Sequence, residues 1–140
     1  MGASKTQILV VSEAQGRNIR YALATFGLEP TLVPNAELAL SLLKTVTPDL
    51  LVIDAHLKDM RGTVLCDRVK RVKRLSEVPT ILFVNEADDH MLADARMSRA
   101  DDVLMLPFSA RDLRSSVKHF LGQSLPASAA HESEQPSDLN

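Results

Sequence analysis

The chain has 140 residues, 45% of them hydrophobic, and a formal net charge of −2 at pH 7, which predicts one domain with a buried core. The weak negative charge and an aromatic content of 4% without tryptophan argue against nucleic-acid binding, and no apolar run approaches the roughly 18 residues of a membrane span. The N-terminus shows no signal-peptide pattern and Cys66 is the only cysteine, so we expect a cytoplasmic protein without an intrachain disulfide.

Short apolar runs rich in β-branched residues recur along the chain at near-regular intervals. Most of them lack strict alternation of apolar and polar residues, which is typical of strands that are buried on both faces. In chain order these predicted strands are Ile8–Val11, Thr31–Val33, Leu50–Ile53, Thr80–Val84 and Val103–Leu106.

Helical patterns lie between the predicted strands. The first helix ends at Gly27, the second begins after the N-cap Asn35, and the fifth begins at Ser109 with Asp112 at the capping-box spacing. The third ends before Pro79. The apolar residues that mark the five helices are Ile19, Ala22, Leu23 and Phe26; Leu38, Ala39, Leu42 and Leu43; Val64, Leu65, Val69 and Val72; Met91, Leu92 and Ala95; and Leu113, Val117, Phe120 and Leu121.

The repeated alternation of strand and helix predicts an α/β sandwich with a parallel sheet, because parallel strands need crossover helices. Ligands of such sheets bind at the carboxyl ends of the strands. Those ends bring one set of residues together, namely Ser12, Glu13, Asp54, Val84, Asn85 and Leu106. Residues 1–122 form the predicted domain, and residues 123–140 have the composition of a disordered tail or linker.

Several spaced motifs of the chain resemble those of bacterial response-regulator receiver domains. They are "ILVVSE" for the first strand, "PDLLVIDAHLKDMRG" for the third strand and its loop, "VPTILFV" for the fourth, and "ADDVLMLPF" for the fifth. The resemblance implies a doubly wound, five-stranded, flavodoxin-like three-layer sandwich. It also implies that an aspartate accepts a phosphoryl group from a histidine kinase, and it assigns this role to Asp54.

Compared with the receiver domains that it resembles, the chain has different residues at several positions of the phosphorylation site. The acidic pair after the first strand is replaced by Ser12 and Glu13, so only one carboxylate remains. The hydroxyl residue that ends the fourth strand is Val84, and the lysine that precedes the proline after the fifth strand is Leu106. The aromatic switch position of the fifth strand is Val103. The family's bond before this proline is commonly cis, so we expect a cis Leu106–Pro107 peptide.

These replacements remove groups that would offset the charge of an aspartyl phosphate. Three oxygen ligands remain for Mg²⁺, from Glu13, Asp54 and the backbone carbonyl of His56. Because Ser12 replaces one carboxylate of the acidic pair, we expect metal binding to be weak or absent. Leu106 deletes a charge-assisted hydrogen bond worth about 1.5–3 kcal/mol, and Val84 deletes one worth about 0.5–1.5 kcal/mol. To convert nearly all molecules from one state to the other, phosphorylation must stabilise the second state by roughly 5.5 kcal/mol more than the first. Because the loss of both bonds removes most of this difference, the sequence predicts a disabled phospho-switch with apolar packing around Val84 and Leu106.

Three functions are compatible with this set of residues. The first is a non-enzymatic receiver-like domain that acts through protein–protein contact, with a histidine kinase or a downstream signalling protein as partner. The family's usual contact or homodimer surface, the fourth helix, fifth strand and fifth helix, corresponds to about Asp88 to Leu121. The second is a functional phospho-acceptor that uses Lys58 or Arg61 as a surrogate cation. The third is an α/β domain that binds a small anion in the crevice.

Two further features have structural interpretations. In the basic run "DRVKRVKRL", Asp67 to Leu75, helical spacing predicts that the valines face inward and that the lysines and arginines face water. Cys66 lies between apolar neighbours and is predicted to be a small core residue rather than a nucleophile.

Overall fold

The computed structural model of the protein describes residues 6–85 and 87–122, and the predicted tail at 123–140 lies outside these residues. The strands are β1 (Ile8–Val11), β2 (Thr31–Val33), β3 (Leu50–Asp54), β4 (Thr80–Asn85) and β5 (Asp102–Leu106). The helices are α1 (Gly16–Ala24), α2 (Ala36–Leu43), α3 (Gly62–Arg71), α4 (Asp89–Met97) and α5 (Ala110–Leu121), with a 3-10 turn at Lys73–Leu75. None of these helices is both long and apolar enough to cross a lipid bilayer.

The strands form one parallel sheet in the order β2-β1-β3-β4-β5, which confirms the predicted doubly wound fold. Side chains on one face of the sheet pack against α2, α3 and α4, and those on the other face pack against α1 and α5. Every residue of β1 and β3 is buried, as expected for strands covered by helices on both faces. The central position of β3 brings its carboxyl end between those of β1 and β4.

The predicted helix caps are confirmed. The Asn35 side chain accepts a hydrogen bond from Leu38 N at 2.9 Å, and Ser109 and Asp112 form a reciprocal capping box at the start of α5. Gly27, after α1, has a φ of 77°, which is the conformation that glycine adopts most readily. The Leu106–Pro107 peptide bond is cis, as predicted.

Three residues predicted to face the core are exposed instead. Leu38 is 48% exposed, and Val64 and Val72 are each 44% exposed. For Leu38 and Val64 the physical reason is the narrow apolar stripe that a short helix can bury against a sheet, whereas Val72 lies just after the end of α3 with an extended backbone. In α2 and α3 other residues occupy that stripe, namely Ala36, Ala39 and Leu43 in α2 and Leu65, Cys66 and Val69 in α3.

The prediction that all lysines and arginines of the basic run face water is wrong at Lys70. The Lys70 side chain is only 8% exposed, and its ammonium group lies 2.7 Å from Asp101 Oδ2 and donates to the Val78 carbonyl oxygen at 2.7 Å. The same Asp101 oxygen accepts from Thr80 N at 2.7 Å. Lys70 is buried because this carboxylate and carbonyl satisfy its charge and donors. It therefore joins α3 to the amino-terminal ends of β4 and β5.

Replacement of Lys70 by methionine is expected to lower the free energy of unfolding by about 2 kcal/mol, because a charge-assisted bond and a bond to a backbone carbonyl are lost together. Urea unfolding followed by circular dichroism measures this change. Lys73→Met is the matched control, since Lys73 is exposed and its replacement should change the free energy by less than about 0.5 kcal/mol. Equal effects of the two substitutions would contradict the assigned role of Lys70.

Cys66 is fully buried among the core residues between α3 and the sheet. Burial raises the pKa of its thiol to about 11. A buried, protonated thiol is a poor nucleophile, so the interpretation of Cys66 as a core residue is supported.

Candidate functional site

Asp54 is the last residue of β3 and lies opposite Phe83 of β4 at the carboxyl edge of the sheet. Its side chain belongs to the set that points toward α1 and α5, because Leu50 and Val52 of the same strand pack on that side. The residue is only 3% exposed. A carboxylate at this depth requires hydrogen-bond donors, and the neighbouring loops supply them.

Ser12 supplies the first donor. Its hydroxyl group donates to Asp54 Oδ2 at 2.8 Å and accepts from Gln15 N at 2.9 Å. Ser12 is itself 4% exposed, and its backbone N–H donates to the Val33 carbonyl oxygen at 3.0 Å. The serine is therefore held on both sides, and its hydroxyl proton is directed at the carboxylate.

His56 supplies the second donor through its backbone. His56 N donates to Asp54 Oδ1 at 2.8 Å, and the imidazole Nε2 accepts from Asn85 N at 2.9 Å. This acceptor role requires an unprotonated Nε2. Each carboxylate oxygen of Asp54 thus accepts a hydrogen bond from a neutral donor, and the imidazole connects the loop after β3 to the end of β4.

Val84 and Leu106 lie at the same carboxyl edge of the sheet as Asp54, but they differ in burial. Val84 is fully buried and packs on the side of α2, α3 and α4, in agreement with the prediction of apolar packing. Leu106 is only half-buried, since β5 is an edge strand and the adjoining cleft is lined by Pro107 and Phe108. Neither side chain carries a polar atom for a phosphoryl group.

The predicted surrogate cations form ion pairs with other acids. Lys58 Nζ lies 3.5 Å from Glu13 Oε1, and these side chains are 86% and 62% exposed. Arg61 lies 3.4 Å from Asp94 of α4. Across residues 6–85 and 87–122, no salt bridge involves Asp54. Lys58 is nevertheless at the crevice, because its partner Glu13 directly follows Ser12.

A contact that sequence reasoning missed holds the same loop to α2. The carboxylate of Asp59 accepts hydrogen bonds from Ala36 N at 3.1 Å and Glu37 N at 3.0 Å. The bond from Ala36 N is the main cause of a lowered pKa for Asp59. The N-cap Asn35 was visible in the sequence, but this second cap comes from a residue 23 positions away, and no local pattern signals it.

The resemblance implies a Mg²⁺ ion held by Glu13, Asp54 and the carbonyl of His56. In the structure both oxygens of Asp54 already accept hydrogen bonds, and Glu13 is exposed and paired with Lys58. Within the described part of the chain, no group of three or more His, Cys, Asp or Glu side chains is placed to hold a metal ion. In this arrangement the Ser12 hydroxyl donates to Asp54 Oδ2, and the nearest remaining acid, Glu13, faces Lys58 at the surface.

Comparisons with known proteins agree with the fold and with the identity of the motifs. The sequence model of the response regulator receiver domain matches residues 8–118. The chain is 27% identical over 122 residues to the phosphate regulon transcriptional regulatory protein PhoB of Rhizobium meliloti, which covers 87% of this chain and 54% of that protein. The chain spans 54% of the length of this regulator, and it spans 11% and 6% of the lengths of two histidine kinases that it also matches.

Two solved structures show the same likeness. The signal receiver domain of a signal transduction histidine kinase from Syntrophus aciditrophicus is 28% identical, with a TM-score of 0.79 over 84% of this chain and 91% of that chain. The receiver domain of the sensor histidine kinase PA1611 from Pseudomonas aeruginosa, which has a magnesium ion in its active-site cleft, is 20% identical with a TM-score of 0.78, over 85% of this chain and 99% of that chain. With a family match over residues 8–118 and an aspartate, Asp54, at the end of β3, the chain belongs to the response-regulator receiver domain family of two-component signalling proteins.

Proposed function

We propose that this receiver domain signals through protein–protein contact and does not use phosphorylation of Asp54 as its switch. The observation that supports this most directly is the hydrogen bond from Ser12 to Asp54 Oδ2, at 2.8 Å between two buried residues. A serine hydroxyl satisfies the carboxylate without adding a charge. Both oxygens of the carboxylate therefore have a hydrogen-bond donor in the protein itself, from Ser12 and from His56 N.

The energetics of an aspartyl phosphate support the same proposal. Phosphorylation would bring about two negative charges into a site where the lysine and hydroxyl positions are Leu106 and Val84. A modification shifts a conformational equilibrium only through contacts that differ between the states. Valine at position 103, which packs against the core below α4, also removes the aromatic group that the family's switch uses.

We propose further that Mg²⁺ binds weakly or not at all. Glu13 is the one remaining partner carboxylate from the end of β1, and it is exposed and paired with Lys58. A metal at Asp54 would compete with the hydrogen bonds from Ser12 and His56 N, and recruiting Glu13 as a ligand would separate its ion pair with Lys58. Hydrated Mg²⁺ gives up its waters reluctantly, and a single buried carboxylate offers little in exchange.

The partner we propose is a histidine kinase or a downstream signalling protein in the cytoplasm, bound without catalysis by this chain. The surface from about Asp88 to Leu121 is a candidate for that contact or for a homodimer. Met97 at the end of α4 is 87% exposed and Met105 in β5 is 43% exposed. Exposed methionines are common on protein-binding surfaces because their flexible side chains adapt to a partner.

A small phosphodonor such as phosphoramidate, supplied with Mg²⁺, is expected to label Asp54 no more than it labels the Asp54→Asn variant. Intact-mass spectrometry measures the labelled fraction.

The Asp54→Asn substitution should leave the affinity for a kinase or downstream partner within about twofold of that of the unsubstituted protein, since no charge contact depends on phosphorylation of Asp54. Near-complete labelling that changes this affinity tenfold, about 1.4 kcal/mol, would refute the proposal.

A second candidate, a phospho-acceptor with a surrogate cation, is favoured by the position of Lys58. Its ammonium group is 3.5 Å from Glu13 at the crevice, and its 86% exposure leaves the long side chain able to move. Arg61 is a poorer candidate because Asp94 of α4 holds it at 3.4 Å. Under this alternative, Lys58→Met abolishes the labelling of Asp54, whereas Arg61→Met does not.

A further inference from the structure

A groove between α2 and α3 lies apart from the Asp54 site and from the α4–β5–α5 surface. It has a volume of about 680 Å³, and its apolar lining includes Leu40 of α2, Val69 of α3, Val72 just after α3, and Leu75 of the 3-10 turn. Val72 is 44% exposed, so part of this lining is in contact with water. Exposed apolar surface framed by polar residues is typical of protein-binding sites.

The rim of the groove is positively charged although the whole chain is weakly negative. Lys44, Arg68 and Arg74 line it, with Glu37 as the only acidic side chain among the lining residues. Lys44, Arg68 and Arg74 are all exposed. The chain as a whole has a net charge of −2, so the basic rim is a local property of this surface. Charge complementarity of this kind selects acidic partners and speeds their association.

The groove is held in shape by Arg74. Its guanidinium donates to the carbonyl oxygens of Leu43 and Val46 and to the hydroxyl group of Thr47, all at the carboxyl end of α2 or just beyond it. A cation at this end of a helix satisfies carbonyl groups that have no partner within the helix. The 3-10 turn that follows α3 is thereby fastened to α2. A preformed groove binds with a smaller loss of conformational entropy.

We infer that the α2–α3 groove binds an amphipathic helix of a partner protein whose apolar face is flanked by acidic side chains. An apolar channel between helices is the surface that such helices recognise, through side chains spaced at i, i+3, i+4 and i+7. The basic rim pairs with the acidic flanks, and Val72 contacts the apolar face. This inference goes beyond the proposed function and does not depend on whether Asp54 is phosphorylated.

The test uses the full chain and a fluorescently labelled synthetic helical peptide, with leucine at i, i+3, i+4 and i+7 and glutamate at the flanking positions. Fluorescence anisotropy is expected to show saturable binding that weakens as salt is added. The double variant Lys44→Glu/Arg68→Glu should weaken binding about tenfold, equivalent to about 1.4 kcal/mol. Val72→Ser should weaken it through loss of apolar contact. Arg74 is left unchanged because it supports the fold of α2.

Arg96→Glu is the matched control, since Arg96 is an exposed basic residue on α4 and lies outside the groove. It should change the peptide affinity by less than about twofold. A second control is a peptide with lysine in place of each glutamate, which should not bind. The inference is wrong if neither peptide binds, if both bind equally, or if Arg96→Glu weakens binding as much as the double variant does.

Two other occupants of the groove would also overturn the inference. Concentration-dependent dimerisation in sedimentation velocity that Lys44→Glu/Arg68→Glu abolishes would assign the groove to a second copy of the chain. If Glu132→Lys/Glu134→Lys in the full chain makes the acidic peptide bind several-fold more tightly, the groove belongs to the chain's own acidic C-terminal segment.

Discussion

Substitution of Gly62 by alanine is expected to lower the free energy of unfolding by about 3 kcal/mol or more. A Cβ atom at this position would lie 2.6 Å from Ala55 Cα and closer still to the Asp54 carbonyl oxygen. These are backbone atoms of Asp54, the last residue of the central strand β3, and of Ala55, which follows it. They cannot move aside easily, because Ala55 N donates to the Phe83 carbonyl oxygen at 2.9 Å and Gly62 N donates to the Ala55 carbonyl oxygen at 3.1 Å.

Urea unfolding of Gly62→Ala measures this effect, and Gly16→Ala is its matched control. A Cβ atom at Gly16 would lie 3.5 Å from Leu32 Cδ1, which is an ordinary van der Waals contact. Alanine also favours the helical conformation that α1 requires, so the stability of Gly16→Ala should be unchanged or slightly higher. If Gly62→Ala unfolds within about 0.5 kcal/mol of the original protein, the close approach of α3 to β3 does not constrain the site.

The triple substitution Ser12→Asp/Val84→Thr/Leu106→Lys is expected to raise the labelling of Asp54 by a phosphodonor about a hundredfold above the background that the Asp54→Asn variant shows. The lysine and the hydroxyl together restore bonds worth about 2.8 kcal/mol, which corresponds to two factors of ten. Ser12→Asp removes the hydroxyl that now bonds Asp54 Oδ2 and puts a second carboxylate beside it, where a divalent cation can bind. Labelling should consequently become dependent on Mg²⁺.

The control for this experiment is the same triple variant with Asp54→Asn, which should show no labelling. Circular dichroism establishes that each variant is folded, since Val84 is fully buried and a hydroxyl there needs a partner. A triple variant that is folded and still unlabelled would show that the replacements at Ser12, Val84 and Leu106 are not what disables the site.

Local patterns in the sequence predicted most of the secondary structure. The bounds of β1 and β2 agree with the prediction, and β3 and β4 each extend one residue further, to Asp54 and Asn85. The caps at Asn35 and Ser109 were visible because a cap depends on residues only a few positions apart. The periodic pattern was less accurate about burial at Leu38, because adjacent apolar residues on a short helix cannot all face the sheet.

The identity of the site residues was also accessible from the sequence, but the arrangement around Asp54 was not. The sequence placed Ser12 and Asp54 at one edge of the sheet and showed that Val84 and Leu106 carry no polar group. It did not indicate that Ser12 donates to Asp54, since these residues are 42 positions apart. The orientation of the Ser12 hydroxyl group also depends on the hydrogen bond that it accepts from Gln15 N.

The sequence by itself therefore determined the order of strands and helices, the main helix caps and the chemical types at the carboxyl edge of the sheet, because these depend on periodicity and on near neighbours. Only the tertiary structure decided which distant groups satisfy one another: Asp59 caps α2, and Lys70 bonds to Asp101 across 31 positions. Buried polar and charged groups must find partners wherever the packing of the sheet and helices places them, and that placement is a property of the whole fold.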